Sequence, residues 1–477
     1  MPSAAPAPER RLDHGHPPAD RRRRAALALL CLAQFMLVLD VTVVNVALPD
    51  MAADLRLDRE ETAWAVTAYT LPFGGLMLLG GRLADALGAR RTLLAGLALF
   101  TAASLATGLA ADAPALLGGR VAQGVGAALV SPAALSLVTT AFRGAERTKA
   151  LGVWAAVGGT GSAAGVLLGG ALVDGPGWPW VFHVNVPVGL LVLAVLPALV
   201  PAGTPRPARL DLPGALLVTA GTAALVHGLV EAGDTGWAGR STLLSLAGAL
   251  VAYACFAAVE RRSRTPLMDL RMLTRRPVLA GAFLMLVATA LLIAFFFLGS
   301  AYLQHLRGFT PLATGVAFLP VAAATGIGAH LGSRLVGRIG GRATAAGGMA
   351  VAAAGTVPPA VLPDGGSVYA VVVPGLAVAA LGLGAVFVTA TATALAAAGH
   401  GEAGLASGVV NTFHEVGGSV GVAVVSTVAA AGFERGSAAG FADAFAVCAA
   451  AAAVAAVAAP GIVPPGRPQY SGGPHAH

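Results

Sequence analysis

The chain has 477 residues, of which 56% are hydrophobic and 11% charged, and its mean hydropathy is +0.77. About a quarter of an ordinary soluble chain is charged. The charges here are too few to coat a water-facing surface of this size, which excludes a soluble globular protein. The net charge of +7 then reads as a topological signal at a membrane surface and not as a nucleic-acid footprint.

Residues 1–24, rich in Pro, Ala and Arg, are expected to form a disordered basic tail. Arg21–Arg24 followed by an apolar run looks like a signal peptide. The run outlasts signal-peptide length and carries Asp40, so it reads as an uncleaved first span. Apolar segments of spanning length then recur at about 25–48, 60–80, 92–110, 114–140, 150–173, 181–201, 211–231, 241–259, 278–303, 311–333, 342–362, 367–394, 403–429 and 438–462. This predicts an all-α polytopic membrane protein with 14 transmembrane helices. The longest internal connection, 260–277, is basic and should include an amphipathic piece at the membrane surface. The cysteines Cys31, Cys255 and Cys448 are far apart in apolar runs, so neither a disulfide nor a metal site is expected of them.

With the N-terminus inside, 24 of the 30 Lys and Arg residues fall in inner segments, 5 fall in outer ones, and Arg120 alone lies within a span. That asymmetry predicts an even span number with both termini cytoplasmic, in the plasma membrane.

Residues 81–93, GRLADALGARRTL, form a short polar turn between the second and third spans. Its pattern Arg82-Leu83-x4-Gly88-x-Arg90 returns as Arg334-Leu335-x4-Gly340-x-Arg342, with Gly337 where the first copy has Asp85. Both copies follow an even-numbered span. The expected organisation is therefore 6+2+6: a six-helix half at 25–201, an inserted helix pair with the basic loop at 202–277, a second six-helix half at 278–462, and a disordered tail at 463–477.

Two charges within the apolar runs stand out. Asp40 lies about nine residues before Pro49, roughly 13 Å below the outer surface, and Arg120 lies at a similar depth on the oppositely directed fourth helix. A lone charge in lipid costs several kcal/mol, so the two should pair or face a wet cavity. Their pairing can be architectural, or Asp40 can exchange a proton with Arg120 tuning it. Glu415 sits near the middle of helix 13 beside His414. It suits release of a proton, reception of a cationic substrate, or a protonated carboxyl held in the bundle. Glu231 and Asp174 fall at outer span ends and read as solvated. His227 and His330 read as interfacial or packing residues. HEVGG at 414–418 lacks the second histidine of a zinc protease motif. No Walker loop surrounds the only lysine, Lys149, so no nucleotide, metal or other cofactor is expected. Gly161, Gly165, Gly169 and Gly170 on helix 5, and Ala324, Gly328 and Gly332 on helix 10, form small-residue stripes suited to close helix packing.

The 81–93 turn resembles the loop signature of the major facilitator superfamily. LDVTVVNVALP (39–49), WAVTAYTL (64–71), RVAQGVGAA (120–128), GSAAGVLLGG (161–170), WPWVFHVNVPVG (178–189) and SGVVNTFHEVGGSVG (407–421) resemble motifs of its fourteen-span drug:proton antiporter group. The pattern is broken at Ala86, where the family has a basic residue, and at Val166, where the antiporter signature has proline. Pro179 and His183 also depart from it. The resemblance implies a proton-coupled exporter of small amphipathic or cationic compounds, working by alternating access as a monomer. It implies a cytoplasmic gate at Gly81, Asp85, Gly88, Arg90 and Arg91, with Asp85 paired to Arg90 or capping a helix. It also implies that the glycine stripes form the surface on which the halves move. Asn45, Tyr69, Gln123, Asn411 and His414 are the candidates for the substrate cavity, and Asp40, Arg120 and Glu415 for proton coupling. A solute importer of the same fold is the alternative. A membrane enzyme or sensor is disfavoured, since neither catalytic spacing nor a soluble output domain is evident.

Overall fold

A computed structural model describes residues 18–142, 144–201, 211–263, 266–267, 270–361, 367–396, 403–430 and 438–466. The first half contains α1 (Pro18–Leu55), α2 (Arg59–Leu87), α3 (Ala89–Gly108), α4 (Ala113–Ala141), α5 (Gly144–Asp174) and α6 (Asn185–Leu199), with a single turn, Trp180–His183, leading into α6. The inserted pair is α7 (Leu212–Thr235) and α8 (Arg240–Arg262). The second half contains α9 (Arg276–Ala301), α10 (Pro311–Ile339), α11 (Gly341–Ala360), α12 (Val373–Ala396), α13 (Ala403–Val428) and α14 (Ala438–Ile462). Wider turns, Tyr302–Leu306 and Val368–Val372, extend α9 and precede α12. Among the described residues, eleven helices are long and apolar enough to cross a membrane. The chain is a multi-pass helical membrane protein. The long helices α5, α11 and α13 are not among the eleven.

Helices prevail because a chain in lipid must satisfy its backbone groups internally. Their ends are fixed by polar residues at the predicted boundaries. Asp58 and Glu61 form a reciprocal capping box at the start of α2, with the Glu61 N–H donating to Asp58 Oδ1 at 2.7 Å and the Asp58 N–H to Glu61 Oε2 at 3.0 Å. Asp112 caps α4 and Asp211 caps α7 in the same sense. The basic N-terminal tail is shorter than expected: α1 begins at Pro18, so Arg21–Arg24 are helical, and Arg22 donates to the Ala198 carbonyl at the end of α6. Residues 1–17 and 467–477, where the rest of the two predicted tails falls, lie outside the described residues. The start of the C-terminal tail is docked, with Arg342 Nε donating to the Val463 carbonyl at 3.0 Å. The amphipathic piece expected in 260–277 is the turn Leu270–Thr274, anchored by buried Met272.

The repeated turn is one structure used twice. Gly88 ends α2 and begins α3 with φ +96° and ψ 131°; Gly340 ends α10 and begins α11 with φ +85° and ψ 163°. A side chain is disfavoured at such φ values. Both copies of the motif therefore carry glycine for the same conformational reason.

Within the first half α4 packs on α2 and α3, and α5 on α1. Within the second, α12 packs on α10 and α11, and α13 on α9. The halves meet along two seams, α2 with α13 and α5 with α10. At the end near Pro49 and Arg59 the first seam is sealed: Thr70 Oγ1 and Ser419 Oγ are 2.6 Å apart, and Gln304 Nε2 donates to the Val46 carbonyl at 2.8 Å. Along α1 residues 42–49 are buried, and along α2 residues 65–75 are buried. Toward the 81–91 turn, Gln34, Phe35, Val38, Leu76, Leu78 and Leu79 are partly exposed. Along α1 and α2 the packing is therefore tighter near Pro49 and Arg59 than toward the 81–91 turn.

Candidate functional site

Asp40 on α1 and Arg120 on α4 meet as their depths predicted. Arg120 Nη1 donates to Asp40 Oδ2 at 2.5 Å, with side-chain exposures of 1% and 0%. The other acceptor, Asp40 Oδ1, takes Nδ2 of Asn185 at 3.0 Å and Nε2 of Gln123 at 3.1 Å. The guanidinium donates through Nε to the Ala65 carbonyl at 3.0 Å and through Nη1 to Gln123 Oε1 at 3.0 Å. Gln123 also donates to Ser104 Oγ at 2.8 Å. Tyr69 closes the assembly from above, with its ring centroid 4.4 Å from Arg120 Cζ and its hydroxyl donating to the Leu37 carbonyl at 3.4 Å. The network ties α1, α2, α3, α4 and α6 together through satisfied polar groups, as a buried ion pair requires.

This placement corrects two cavity candidates. Tyr69 and Gln123 are fully buried shells of the ion pair and line no opening. The Gln123 amide is taken up by Arg120, Asp40 and Ser104, and the Tyr69 hydroxyl by the Leu37 carbonyl. Asn45 is also fully buried and donates to the Val41 carbonyl at 2.7 Å. Its surroundings are a small void shared with Pro49, Thr62, Phe297 and His305 near the sealed end. Asn185 and Ser104 escaped the sequence reading. A visible signal existed for Asn185: with His183 it interrupts an otherwise apolar run, five residues after Trp180.

Glu415 is placed differently. It is partly exposed, and among the described residues its carboxylate has no hydrogen bond or ion pair. Gly408, Asn411, Thr412 and Glu415 repeat at helical spacing as one stripe of α13. It runs beside α2, where a Cβ added at Gly408 would lie 2.7 Å from Leu78 Cδ2, with Asn411 exposed and Glu415 partly exposed. The stripe stops at Ser419, where the Thr70 contact seals the seam. Across from Glu415, Gly74 on α2 leaves no room for a side chain: a Cβ there would lie 2.5 Å from Glu415 Cβ. His414 turns the other way. Its Nδ1 is 2.9 Å from Thr289 Oγ1 and 3.4 Å from Met285 Sδ, and its ring lies 5.7 Å from that of Phe387. Of the cavity candidates, Asn411 is the one on the exposed stripe, while His414 packs against α9 and α12.

In the turn, Gly88 is fixed by its backbone, Gly81 is partly exposed near Pro132, and Arg82 donates to the Pro266 carbonyl at 2.8 Å. Asp85 neither pairs with Arg90 nor caps a helix among the described residues, and it is exposed, as is Arg91. This differs from the expected pairing: the carboxylate points out of the protein, where water can solvate it.

The glycine stripes pack helices closely, as expected, and their partners can be named. Gly161, Gly165 and Gly169 lie against Val38, Thr42 and Val43 of α1, and Gly328 and Gly332 against Leu381 and Ala385 of α12. Both stripes pack inside their own halves. The contact between halves falls to Gly170, whose added Cβ would lie 2.6 Å from the Pro311 carbonyl oxygen and 2.7 Å from Leu312 Cα, and to Gly315, 2.6 Å from the Val166 carbonyl oxygen by the same construction. A four-residue stripe marks one face of close approach. Gly170 belongs to the next face round.

The sequence profile of the Major Facilitator Superfamily matches residues 30–422. The puromycin resistance protein pur8 of Streptomyces alboniger is 41% identical over 417 residues, covering 86% of this chain and 82% of that protein. The cephamycin export protein CmcT of Amycolatopsis lactamdurans is 37% identical over 414 residues, covering 85% of each. Among solved structures, the POT family transporter PepTSo superposes with a TM-score of 0.65 at 16% identity, covering 91% of this chain and 97% of that one.

Proposed function

The chain belongs to the major facilitator superfamily, and we propose that it is a proton-coupled exporter of small amphipathic or cationic compounds. Relatives at 41% and 37% identity, along most of their length, are named for puromycin resistance and cephamycin export. That supports antibiotic efflux as the activity and puromycin as the first probe. In this reading α5, α11 and α13 also cross the membrane, giving fourteen spans. The termini and the 81–91 turn are cytoplasmic, and the end at that turn receives substrate from the cell interior.

The observation that carries the coupling proposal is Glu415: a partly exposed mid-helix carboxylate with no hydrogen bond or ion pair among the described residues, at the seam between the halves. A charge there is unfavourable in the bundle unless neutralised. A proton and a cationic compound can each neutralise it, but not together. Exchange of one for the other couples the two fluxes. The Asp40–Arg120 pair, buried and saturated with hydrogen bonds, is read as the fixed pin of the first half. Alternating access then opens the Thr70–Ser419 seam while the 81–91 turn closes.

The test is efflux from energised cells of an efflux-deficient host. Puromycin extrusion should stop when a protonophore collapses the proton gradient. Extrusion that continues without the gradient rejects proton coupling, and absence of extrusion for a panel of amphipathic compounds rejects the exporter.

A further inference from the structure

At the sealed end, three side chains from two helices converge. His227 and Glu231 lie one turn apart on the same face of α7, and Glu60 lies in the first turn of α2. His227 Nδ1 is 3.1 Å from Glu60 Oε1, and the nearest ligand atoms of all three lie within 4.8 Å of one another. We propose that these three residues form a zinc site that fastens the inserted helix pair to the first half.

The geometry is close to what the ion needs. Zinc holds nitrogen and oxygen ligands at about 2.1 Å, so tetrahedral ligands stand about 3.4 Å apart. The His227–Glu60 edge, at 3.1 Å, is close to that length, and no edge exceeds 4.8 Å. The donor set is one imidazole and two carboxylates. The imidazole nitrogen favours zinc over magnesium and calcium, which take oxygen ligands. His227 and Glu60 are 42% and 31% exposed, so an ion can enter from water and a solvent molecule can take the fourth position.

Outer partners already orient both carboxylates. Trp64 Nε1 donates to Glu60 Oε1 at 3.3 Å, and Ser241 Oγ on α8 donates to Glu231 Oε1 at 2.6 Å. Such second contacts commonly hold metal ligands in place. Arg59, the residue before Glu60, donates through Nη2 to the Val230 carbonyl at 3.1 Å. The site lies at a mechanical junction. One turn away, Thr427 of α13 donates to the Leu229 carbonyl at 2.6 Å, so α7 bridges both halves at the sealed end. An ion at Glu60, His227 and Glu231 strengthens its link to α2 alone.

The experiment is zinc titration of the purified full-length protein by calorimetry, for the wild type and for His227→Gln, Glu231→Gln and Glu60→Gln. Histidines elsewhere in the chain contribute equally to all four. The wild type should bind one zinc ion more per chain than each variant, in the micromolar range, undisturbed by millimolar magnesium, and zinc should raise the wild-type melting temperature more than that of the variants. Because the three positions are half-exposed, the variants should keep the metal-free melting temperature. Equal zinc stoichiometry in the wild type, His227→Gln and Glu231→Gln overturns the proposal, as does displacement by magnesium.

Discussion

Asp40→Asn tests the reading of the ion pair as a structural pin. Asparagine keeps a carbonyl oxygen that can accept from Asn185 and Gln123, as Asp40 Oδ1 does at 3.0 Å and 3.1 Å. What is lost is the charge facing Arg120, which is 1% exposed. Removing one partner of a buried pair costs about 3–5 kcal/mol, because the remaining charge stays buried. Here the guanidinium retains the Ala65 carbonyl, Gln123 Oε1 and the Tyr69 ring at 4.4 Å. A desolvated cation–π contact contributes about 2 kcal/mol. The expected loss is therefore at the lower end, about 3 kcal/mol. For a cooperative unit the size of the first half, that lowers the melting temperature by roughly 6–12 °C. Thermal unfolding in detergent, followed by fluorescence or size-exclusion recovery, reads the shift. The double variant Asp40→Asn/Arg120→Met should recover most of it, since the uncompensated charge is gone. An Asp40→Asn protein as stable as the wild type, or a double variant that adds a second loss to the first, would refute the pin.

Other expectations follow from the seams and turns. Gly170→Val should prevent the sealed end from closing, because its side chain would meet Pro311 and Leu312; labelling of a cysteine placed at Thr70 by a membrane-impermeant maleimide should rise, and unchanged labelling would remove the α5–α10 contact from the gate. Gly88→Ala and Gly340→Ala should each destabilise the protein by about 1–2 kcal/mol, the cost of a side chain at positive φ, measured as similar drops in melting temperature. Asp85→Asn should leave the melting temperature unchanged, since the exposed carboxylate has no hydrogen bond or ion pair among the described residues, but should slow turnover if it pairs when the 81–91 end closes; wild-type turnover would make it a topological signal only.

The helical architecture was legible because lipid leaves the chain few options: apolar length, capping residues and basic turns mark each helix. The pairing of Asp40 with Arg120 was legible because depth can be counted along antiparallel helices. The shells around the pair were less so. Tyr69 and Gln123 are polar residues near a predicted cavity, and sequence cannot tell a residue facing an opening from one facing the neighbouring helix. Gly161, Gly165 and Gly169 announced a close contact but not its partner, which is α1 and not the opposite half. Asp85 shows a different limit: the pairing with Arg90 expected from the loop is not made here, and the carboxylate is exposed. The convergence of Glu60 with His227 and Glu231 joins positions more than 160 residues apart, and helix periodicity in α7 alone signals only half of it.

The central claim is that Glu415 is the carboxylate through which protons drive export. The most direct measurement is puromycin accumulation by inverted membrane vesicles under an imposed proton gradient, for the wild type and Glu415→Gln. The wild type should concentrate puromycin and lose it when the gradient collapses. Glu415→Gln should fail to concentrate it while reaching the wild-type level in vesicles, with an unchanged melting temperature. Gradient-driven accumulation by Glu415→Gln at the wild-type rate would contradict the account.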